Sequence, residues 1–143
     1  MTTINYNLFL DDLRNPLGVY TYTKNEKYIN KNWKIVRNYD AFCNYIEHNH
    51  KFYNIMPTII SFDHDLANFH YNHEAISNLE NYEKYYNSLD EKTGYHCAKW
   101  LVEYCMNNDL DLPEFHVHSM NPIGAKKILN LLIDYEKFRN RYN

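Results

Sequence analysis

The chain has 143 residues, a formal net charge of −3 and 45% hydrophobic residues, which fits one globular domain with its own core. This charge excludes the broad basic surface that binding to long nucleic acids needs, although a short nucleotide remains compatible with it. Three cysteines without a CxxC pair indicate reduced core residues rather than a disulfide framework. No apolar run approaches the roughly 18 residues of a membrane span, so we expect a cytoplasmic protein that contacts no membrane.

The first 32 residues predict one strand and a long loop. Residues 5–10 are rich in Tyr, Phe and Leu, which favours a strand that ends at Asp11. Pro16 and Gly18 indicate a loop rather than an immediate helix, and this loop is expected to extend to about Asn32.

The middle of the chain predicts a strand, a helix and a buried strand. Residues 33–37 have a strand composition, and the amphipathic segment after them predicts a short helix that ends near residues 47–50. Residues 58–62 form an apolar run after Pro57, which indicates a buried central strand.

A polar segment rich in Tyr and Asn follows, over residues 67–92, with a helix expected at about 76–89. It is longer than an ordinary connection in a compact domain. Because it begins directly after the acidic end of the central strand, we interpret it as an insertion, either a lid or a specificity element over a site. A surface excursion without such a role is the alternative.

The last third predicts a helix, a strand and a second helix. Thr93 is the expected N-cap of the first helix, residues 115–118 the strand, and Asn121 the N-cap of the last helix, with Pro122 at its first position. Strands that alternate with helices predict an α/β fold with a mainly parallel sheet of about four strands. The apolar residues of the last helix are expected to face the core: Ala125, Ile128, Leu129, Leu132 and Phe138.

Four carboxylates follow the first and central strands: Asp11, Asp12, Asp63 and Asp65. The carboxyl ends of parallel strands share one edge of a sheet, where ligands bind. Two unit charges about 4 Å apart repel by roughly 4 kcal/mol at an effective dielectric of 20, so such a cluster needs protonation or a cation. Oxygen ligands favour Mg²⁺, Mn²⁺ or Ca²⁺. The alternative is that one acid of each pair caps a turn or faces solvent.

Two histidines stand at the same strand ends. His64 can be a metal ligand or a general acid or base, or else a structural histidine bonded to a loop carbonyl. His118 is the best candidate for protonating a leaving oxygen, whereas His116 is expected to be a buried structural residue.

A phosphate site is predicted at the start of the last helix, from Ser119, Asn121 and Gly124. Backbone N–H groups and the helix dipole favour an anion there, and Gly124 would permit close approach of a ligand or a neighbouring element. Arg14 can clamp a phosphate with two donors, with a surface salt bridge as its alternative role.

Four segments in chain order carry a resemblance to a known family: Leu10-Asp11-Asp12-Leu13-Arg14-Asn15-Pro16, Asp63-His64-Asp65-Leu66, Thr93-Gly94 and His118-Ser119-Met120-Asn121-Pro122-Ile123-Gly124. They resemble the receiver domains of two-component signalling, and more closely the receiver-related family named for cyclic-phosphate processing. The resemblance spans nearly the whole chain. It implies one receiver-like (flavodoxin-like) domain over residues 1–143, a three-layer sandwich.

The resemblance also implies a metal-dependent enzyme, with Mg²⁺ or Mn²⁺, that opens or removes phosphate from cyclic nucleotides or cyclic-phosphate RNA ends. In this hypothesis Asp63 acts with the ion, His64 or His118 handles the proton, and the phosphate is held beside the helix start. The proposed metal ligands are Asp11, Asp12, Asp63 and Asp65.

Two other functions compete with this hypothesis. A receiver-like module could accept phosphate on Asp63 or hold a nucleotide without turnover. The sequence shows no clear fifth strand ending in Lys, with Lys126 or Lys127 as the candidate substitutes, and this departure favours hydrolysis. A phosphatase of the haloacid-dehalogenase type expects acids two positions apart after the first strand, which this chain does not supply. The abundance of Asn, Lys and Ile is typical of AT-rich genomes, such as those of many viruses. If the chain is viral, degradation of a nucleotide immune signal of the host would be a natural use.

Overall fold

The computed structural model describes residues 5–66 and 92–142. The predicted insertion therefore lies outside the described residues, except for Lys92 at its end. In the described part, no helix is both long enough and apolar enough to cross a membrane.

Four parallel strands form the sheet: β1 Asn7–Leu10, β2 Trp33–Val36, β3 Ile59–Phe62 and β4 Glu114–Val117. Their order is β2-β1-β3-β4, so β1 and β3 occupy the centre of the described sheet. All four residues of β3 are buried, as expected for a strand covered on both faces. The predicted α/β receiver-like fold with a four-stranded parallel sheet is confirmed.

Five described helices flank the sheet: α1 Pro16–Thr23, α2 Lys27–Asn30, α3 Tyr39–Tyr53, α4 Gly94–Asn107 and α5 Pro122–Tyr142. On one face, Val19 of α1 and Tyr28 of α2 pack with Phe9 of β1. The opposite face carries the larger core, built from apolar residues of β1 and β3 together with α3, α4 and α5. Helices on both faces make the three layers that were predicted.

The prediction of a long loop between the first two strands is wrong, because this segment contains α1 and α2. The side-chain oxygen of Asn15 accepts a hydrogen bond from the N–H of Gly18 at 2.9 Å, and Pro16 occupies the first helical turn. A proline there costs little, since the first N–H groups of a helix have no partner within the helix. The residues that suggested a break therefore begin a helix.

Two further expectations about helices are wrong. The polar residues 47–50 do not end α3, which continues to Tyr53 and stops where Asn54 adopts a left-handed φ of 54°. Phe138 is 51% exposed, because Tyr135 takes the last buried position on α5 and the ring of Phe138 stacks beside it. As predicted, α4 starts after Thr93 and α5 starts after Asn121. Ile128 and Leu132 are buried in the core, whereas Ala125 and Leu129 are half-buried. All three cysteines of the chain are free and buried.

Candidate functional site

Three buried side chains meet at the carboxyl edge of the sheet, those of Asp11, Asp63 and His118. One potential ligand atom from each lies within 4.8 Å of the others. The strand register explains this convergence, since the N–H of Asp63 bonds to the carbonyl of Leu10 and the N–H of His118 to that of Phe62. The ladder thus extends one residue past β1, β3 and β4 and sets these three residues level. Together they could hold a cation.

Asp11 is fully surrounded by hydrogen-bond donors. Its Oδ1 accepts the backbone N–H groups of Leu13 and Arg14 at 2.9 and 2.8 Å. Its Oδ2 lies 3.0 Å from Nε2 of His118 and 3.4 Å from Nη1 of Arg14. Burial alone would raise the pKa of Asp11, but the hydrogen bonds from His118 and the two backbone N–H groups outweigh it, so the pKa is lowered. Asp11 is therefore a stable carboxylate.

Asp63 has the opposite environment. Its side chain is buried, with 1% of the residue exposed, and among the described residues its Oδ1 accepts one hydrogen bond, from the backbone N–H of His64 at 2.9 Å. Its Oδ2 is buried without a hydrogen-bond partner among the described residues. Burial, followed by the negative charge of Asp11, raises the pKa of Asp63 to about 8. At neutral pH this carboxyl holds a proton unless a cation takes the proton's place.

Arg14 lies between the two acids and solvent. Its Nη1 is 3.4 Å from Asp11 Oδ2 and 3.9 Å from Asp63 Oδ1, and its side chain is 26% exposed. The guanidinium carbon also lies 5.7 Å from the centre of the Tyr22 ring. The backbone of this loop is fixed by Arg37, whose Nη1 donates to the carbonyls of Asp11 and Arg14 at 3.0 and 2.6 Å. The predicted salt bridge of Arg14 is thus part of the site itself, and phosphate binding by Arg14 stays a prediction.

The other two predicted acidic ligands do not join this group. Oδ1 of Asp65 lies 2.8 Å from Nδ1 of His64 and 3.3 Å from the side-chain nitrogen of Asn121, all in buried positions. Asp12 is half-buried and is not among the three residues that converge. The structure therefore brings together Asp11, Asp63 and His118, and metal binding by the four predicted acids stays a prediction.

Two glycines let the helix starts pack against the chain after β3. A Cβ on Gly94 would lie 1.7 Å from the carbonyl oxygen of Asp63, and the N–H of Gly94 bonds to the carbonyl of His64 at 2.7 Å. A Cβ on Gly124 would lie 2.4 Å from Cγ of His64. The close approach that Gly124 was expected to permit is therefore made by a neighbouring element, and it holds the His64 ring in place.

His118 is engaged at both ring nitrogens. Nδ1 lies 2.7 Å from Oγ of Ser61, and Nε2 lies 3.0 Å from Oδ2 of Asp11. The ring stacks on Phe9, with centroids 4.6 Å apart and an interplanar angle of 4°. Burial lowers the pKa of His118, against the opposing effect of Asp11. In this arrangement the predicted proton donor has both nitrogens directed into the protein.

The residues predicted to bind phosphate at the start of α5 bond to one another. Oγ of Ser119 accepts the N–H of Asn121 at 3.1 Å, and the side-chain oxygen of Asn121 accepts the N–H of Gly124 at 3.0 Å. These contacts cap the helix. Phosphate binding by this group stays a prediction.

His116 is not the buried structural residue that was expected. It lies on edge strand β4, is half-buried, and its Nε2 is 2.7 Å from Oε2 of Glu114. An edge strand leaves its side chains partly open to solvent, which the pattern of alternating residues does not reveal.

Three residues of the site were missed from the sequence: Ser61, Tyr28 and Tyr22. Ser61 is a fully buried hydroxyl in an apolar strand, a signal that a buried polar partner must exist. Tyr28 bonds to Ser61 at 2.6 Å, and the hydroxyl of Tyr22 donates to the carbonyl of His118 at 2.6 Å. Nothing distinguishes these two tyrosines among the 15 in the chain, because their roles depend on the undetected helices α1 and α2.

Comparison with family models identifies the chain. The model of the cyclic-phosphate processing receiver domain matches residues 6–134, from just before β1 into α5. The chain belongs to this family, as the resemblance of its motifs indicated. The family description connects the protein with cyclic-phosphate processing and is compatible with a phosphate-bearing substrate. Searches of curated proteins and of solved structures gave no match.

Proposed function

Because the chain belongs to this family, we propose that it is a metal-dependent phosphodiesterase that hydrolyses a cyclic phosphate. The substrate class is a cyclic nucleotide or an RNA end with a 2′,3′-cyclic phosphate. The observation that carries the proposal is the buried pair Asp11 and Asp63, in which Asp63 Oδ2 has no hydrogen-bond partner among the described residues.

The residues present fit a divalent cation. Asp11 and Asp63 supply two carboxylates, and in the described part of the chain both pair with the same guanidinium, that of Arg14. A cation would compensate the second charge and give Asp63 Oδ2 a partner. A buried polar atom that lacks a partner costs about 1–3 kcal/mol or more. Carboxylate oxygens suit Mg²⁺ and Mn²⁺. Asp11 and Asp63 would hold the ion, with His118 as the third group in range.

A bound divalent ion would polarise a phosphoryl oxygen and lower the pKa of a coordinated water. The protein's own part is to position the phosphate and exclude solvent. Arg14 is suited to the first task, since its guanidinium borders both acids and still reaches solvent. The deep burial of Asp11 and Asp63 strengthens every charge interaction inside the site.

We assign proton transfer to His64, whose ring is fully buried beside Asp65 and packs against the start of α5. Nδ1 of His64 faces Asp65 Oδ1 at 2.8 Å, and a carboxylate at one ring nitrogen favours protonation there and leaves the other nitrogen as the basic atom. Asp65, predicted as a metal ligand, would then act by orienting His64.

The test is turnover of a panel of cyclic mononucleotides, cyclic dinucleotides and RNA with 2′,3′-cyclic phosphate ends, with Mn²⁺ or Mg²⁺ and with excess chelator. We expect metal-dependent product from one substrate class. Asp63→Asn should lower the turnover rate at least about a hundredfold, because residues that only orient a metal ligand typically contribute about 10- to 100-fold. The matched control is Asp134→Asn, an exposed acid on α5. Unchanged turnover in Asp63→Asn would contradict the mechanism.

The position of Asp63 at the end of β3 in a receiver-like sheet favours one second candidate, a phosphoacceptor without turnover. Its signature is a stable mass gain of one phosphoryl group after incubation with a small phosphodonor. That gain, with no product from any substrate of the panel, would replace the first proposal.

A further inference from the structure

We propose that Tyr28 and Ser61 are positioning residues that fix His118 as a hydrogen-bond donor to Asp11 rather than as a ligand of the metal ion. The tautomer of His118 follows from the hydrogen bonds alone. Only its consequence for turnover rests on the proposed function.

The four residues form one buried chain of hydrogen bonds across the sheet. The hydroxyl of Tyr28 lies 2.6 Å from Ser61 Oγ, which lies 2.7 Å from Nδ1 of His118. Nε2 of His118 lies 3.0 Å from Oδ2 of Asp11. All four residues are at most 4% exposed, so bulk water does not compete for these contacts. The chain begins on α2 and ends at the candidate metal site.

The end of the chain at Tyr28 decides the direction of its protons. Among the described residues, the hydroxyl of Tyr28 has only Ser61 as a hydrogen-bond partner. If Tyr28 donates to Ser61, the Ser61 hydroxyl donates in turn to Nδ1 of His118. The ring proton of a neutral His118 is then on Nε2, where it donates to the Asp11 carboxylate. Every proton in this arrangement has an acceptor.

The opposite direction leaves a buried donor without an acceptor. If Nδ1 of His118 carried the proton, it would donate to Ser61, and Ser61 would donate to Tyr28. The O–H of Tyr28 would then have no acceptor in the described part of the chain, at a cost of about 1–3 kcal/mol. Nε2 and the carboxylate of Asp11 would also face each other without a proton between them. The first tautomer is therefore favoured at both ends of the chain.

This tautomer excludes His118 as a metal ligand, although its distance from the two acids would allow that role. A histidine binds a metal through an unprotonated nitrogen, and Nε2 carries the proton. His118 instead gives Asp11 one of its four donors, and the ion would be held by the carboxylates. Hydrogen bonds of this kind orient a ligand, and their loss typically reduces metal affinity or activity about 10- to 100-fold.

The test is ¹⁵N NMR of the histidine ring nitrogens in the full chain, with the His118 signals assigned in the unsubstituted protein through its ring contact with Phe9. We expect a protonated-type shift for Nε2 and an unprotonated-type shift for Nδ1, both before and after addition of Mg²⁺. In Ser61→Ala the two shifts should move toward each other as the tautomers mix, with about a tenfold loss of kcat. Tyr28→Phe should cause a smaller movement, because Ser61 can still donate to Nδ1.

The matched control is Ile60→Val, a buried substitution on the opposite face of the same strand, which should lower the unfolding temperature but leave the His118 shifts unchanged. A protonated Nδ1 in the unsubstituted protein, or loss of the proton from Nε2 on addition of Mg²⁺, would overturn the inference. These spectra decide the matter even if a variant does not fold. If they show the expected tautomer while no substrate of the panel reacts, the inference stands and the proposed function fails.

Discussion

Asp11 and Asp63 occupy equivalent positions on neighbouring strands, each after an apolar run and each buried, but their carboxylates differ in hydrogen bonding and in pKa. Among the described residues, Asp11 accepts four hydrogen bonds and Asp63 accepts one, which leaves Asp63 Oδ2 without a partner there. The pKa of Asp11 is lowered, whereas the pKa of Asp63 is raised to about 8. The cause is the backbone that follows. After β1 the chain turns so that two N–H groups face Asp11, while after β3 it is held against two helix starts.

The difference between these two regions shows that an acid at a strand end is not a site by itself. One carboxylate is stabilised as an anion by the protein, and the other depends on a proton or a cation.

Gly94→Ala should have the largest effect on stability, because its Cβ would lie 1.7 Å from the backbone oxygen of Asp63 and neither backbone segment can move without breaking the site. We expect a loss of about 4 kcal/mol or more in the free energy of unfolding, or failure to fold. The matched control is Gly18→Ala in α1, where the nearest atom is 3.5 Å away and a gain of about 0.5–1 kcal/mol is expected. Urea unfolding of the two variants measures both values, and similar stabilities would contradict the packing described here.

Asp63→Asn and Asp11→Asn should change stability in opposite directions without metal. The pKa of Asp63 is higher in the folded protein, at about 8, than its ordinary 3.8, so the folded state binds the proton more tightly than the unfolded state. The free energy of unfolding therefore falls as pH rises from about 4 to about 8. Asp63→Asn should abolish this pH dependence and be more stable than the unsubstituted protein at pH 8, by on the order of a few kcal/mol.

The lowered pKa of Asp11 has the reverse consequence. Its carboxylate stabilises the folded state above its ordinary pKa, and this contribution disappears as pH falls through the lowered value. Asp11→Asn should thus lose stability at neutral pH. Unfolding curves at pH 5 and pH 8 in the presence of chelator measure both effects, and two variants that both destabilise at pH 8 would refute the contrast.

Arg14→Lys should have a smaller effect, confined to substrate binding. A lysine keeps the charge but loses the planar pair of donors that a phosphate can accept. We expect KM to rise roughly tenfold, which corresponds to the loss of one hydrogen bond to a charged group. Arg139→Lys, a substitution of an arginine that pairs with Asp109 and Asp111, serves as the control. A fall in kcat at constant KM would mean that Arg14 acts in the reaction and not in binding.

Much of the fold could be predicted from the sequence, because strong apolar runs mark β1 and β3 and the caps Thr93 and Asn121 mark α4 and α5. The first loop was mispredicted for a physical reason. Pro16 and Gly18 break a helix in its interior, but Pro16 stands at the start of α1, where Asn15 supplies the cap. A proline and a glycine therefore indicate a loop when they lie inside a helical pattern, but they are compatible with a helix when they follow its N-cap directly, as here.

The sequence predicted which strand ends form the site, and the structure places Asp11 and Asp63 close together there. The sequence could not show that Asp65 turns toward His64, since a single step after a strand end can reverse the direction of a side chain. The partner of Ser61 was also hidden, because Tyr28 belongs to α2, a helix within the segment that was predicted to be a loop. Contacts between distant segments decide these roles.

Calorimetric titration with Mg²⁺ at pH 7, in two buffers of different ionisation enthalpy, tests the central claim most directly. If the ion takes the place of the proton on Asp63, binding should release close to one proton per ion, since a carboxyl with a pKa of about 8 is mostly protonated at pH 7. Asp63→Asn should neither bind the ion tightly nor release a proton. Equal heats in the two buffers, or unchanged binding by Asp63→Asn, would contradict a metal site built on the Asp11 and Asp63 pair.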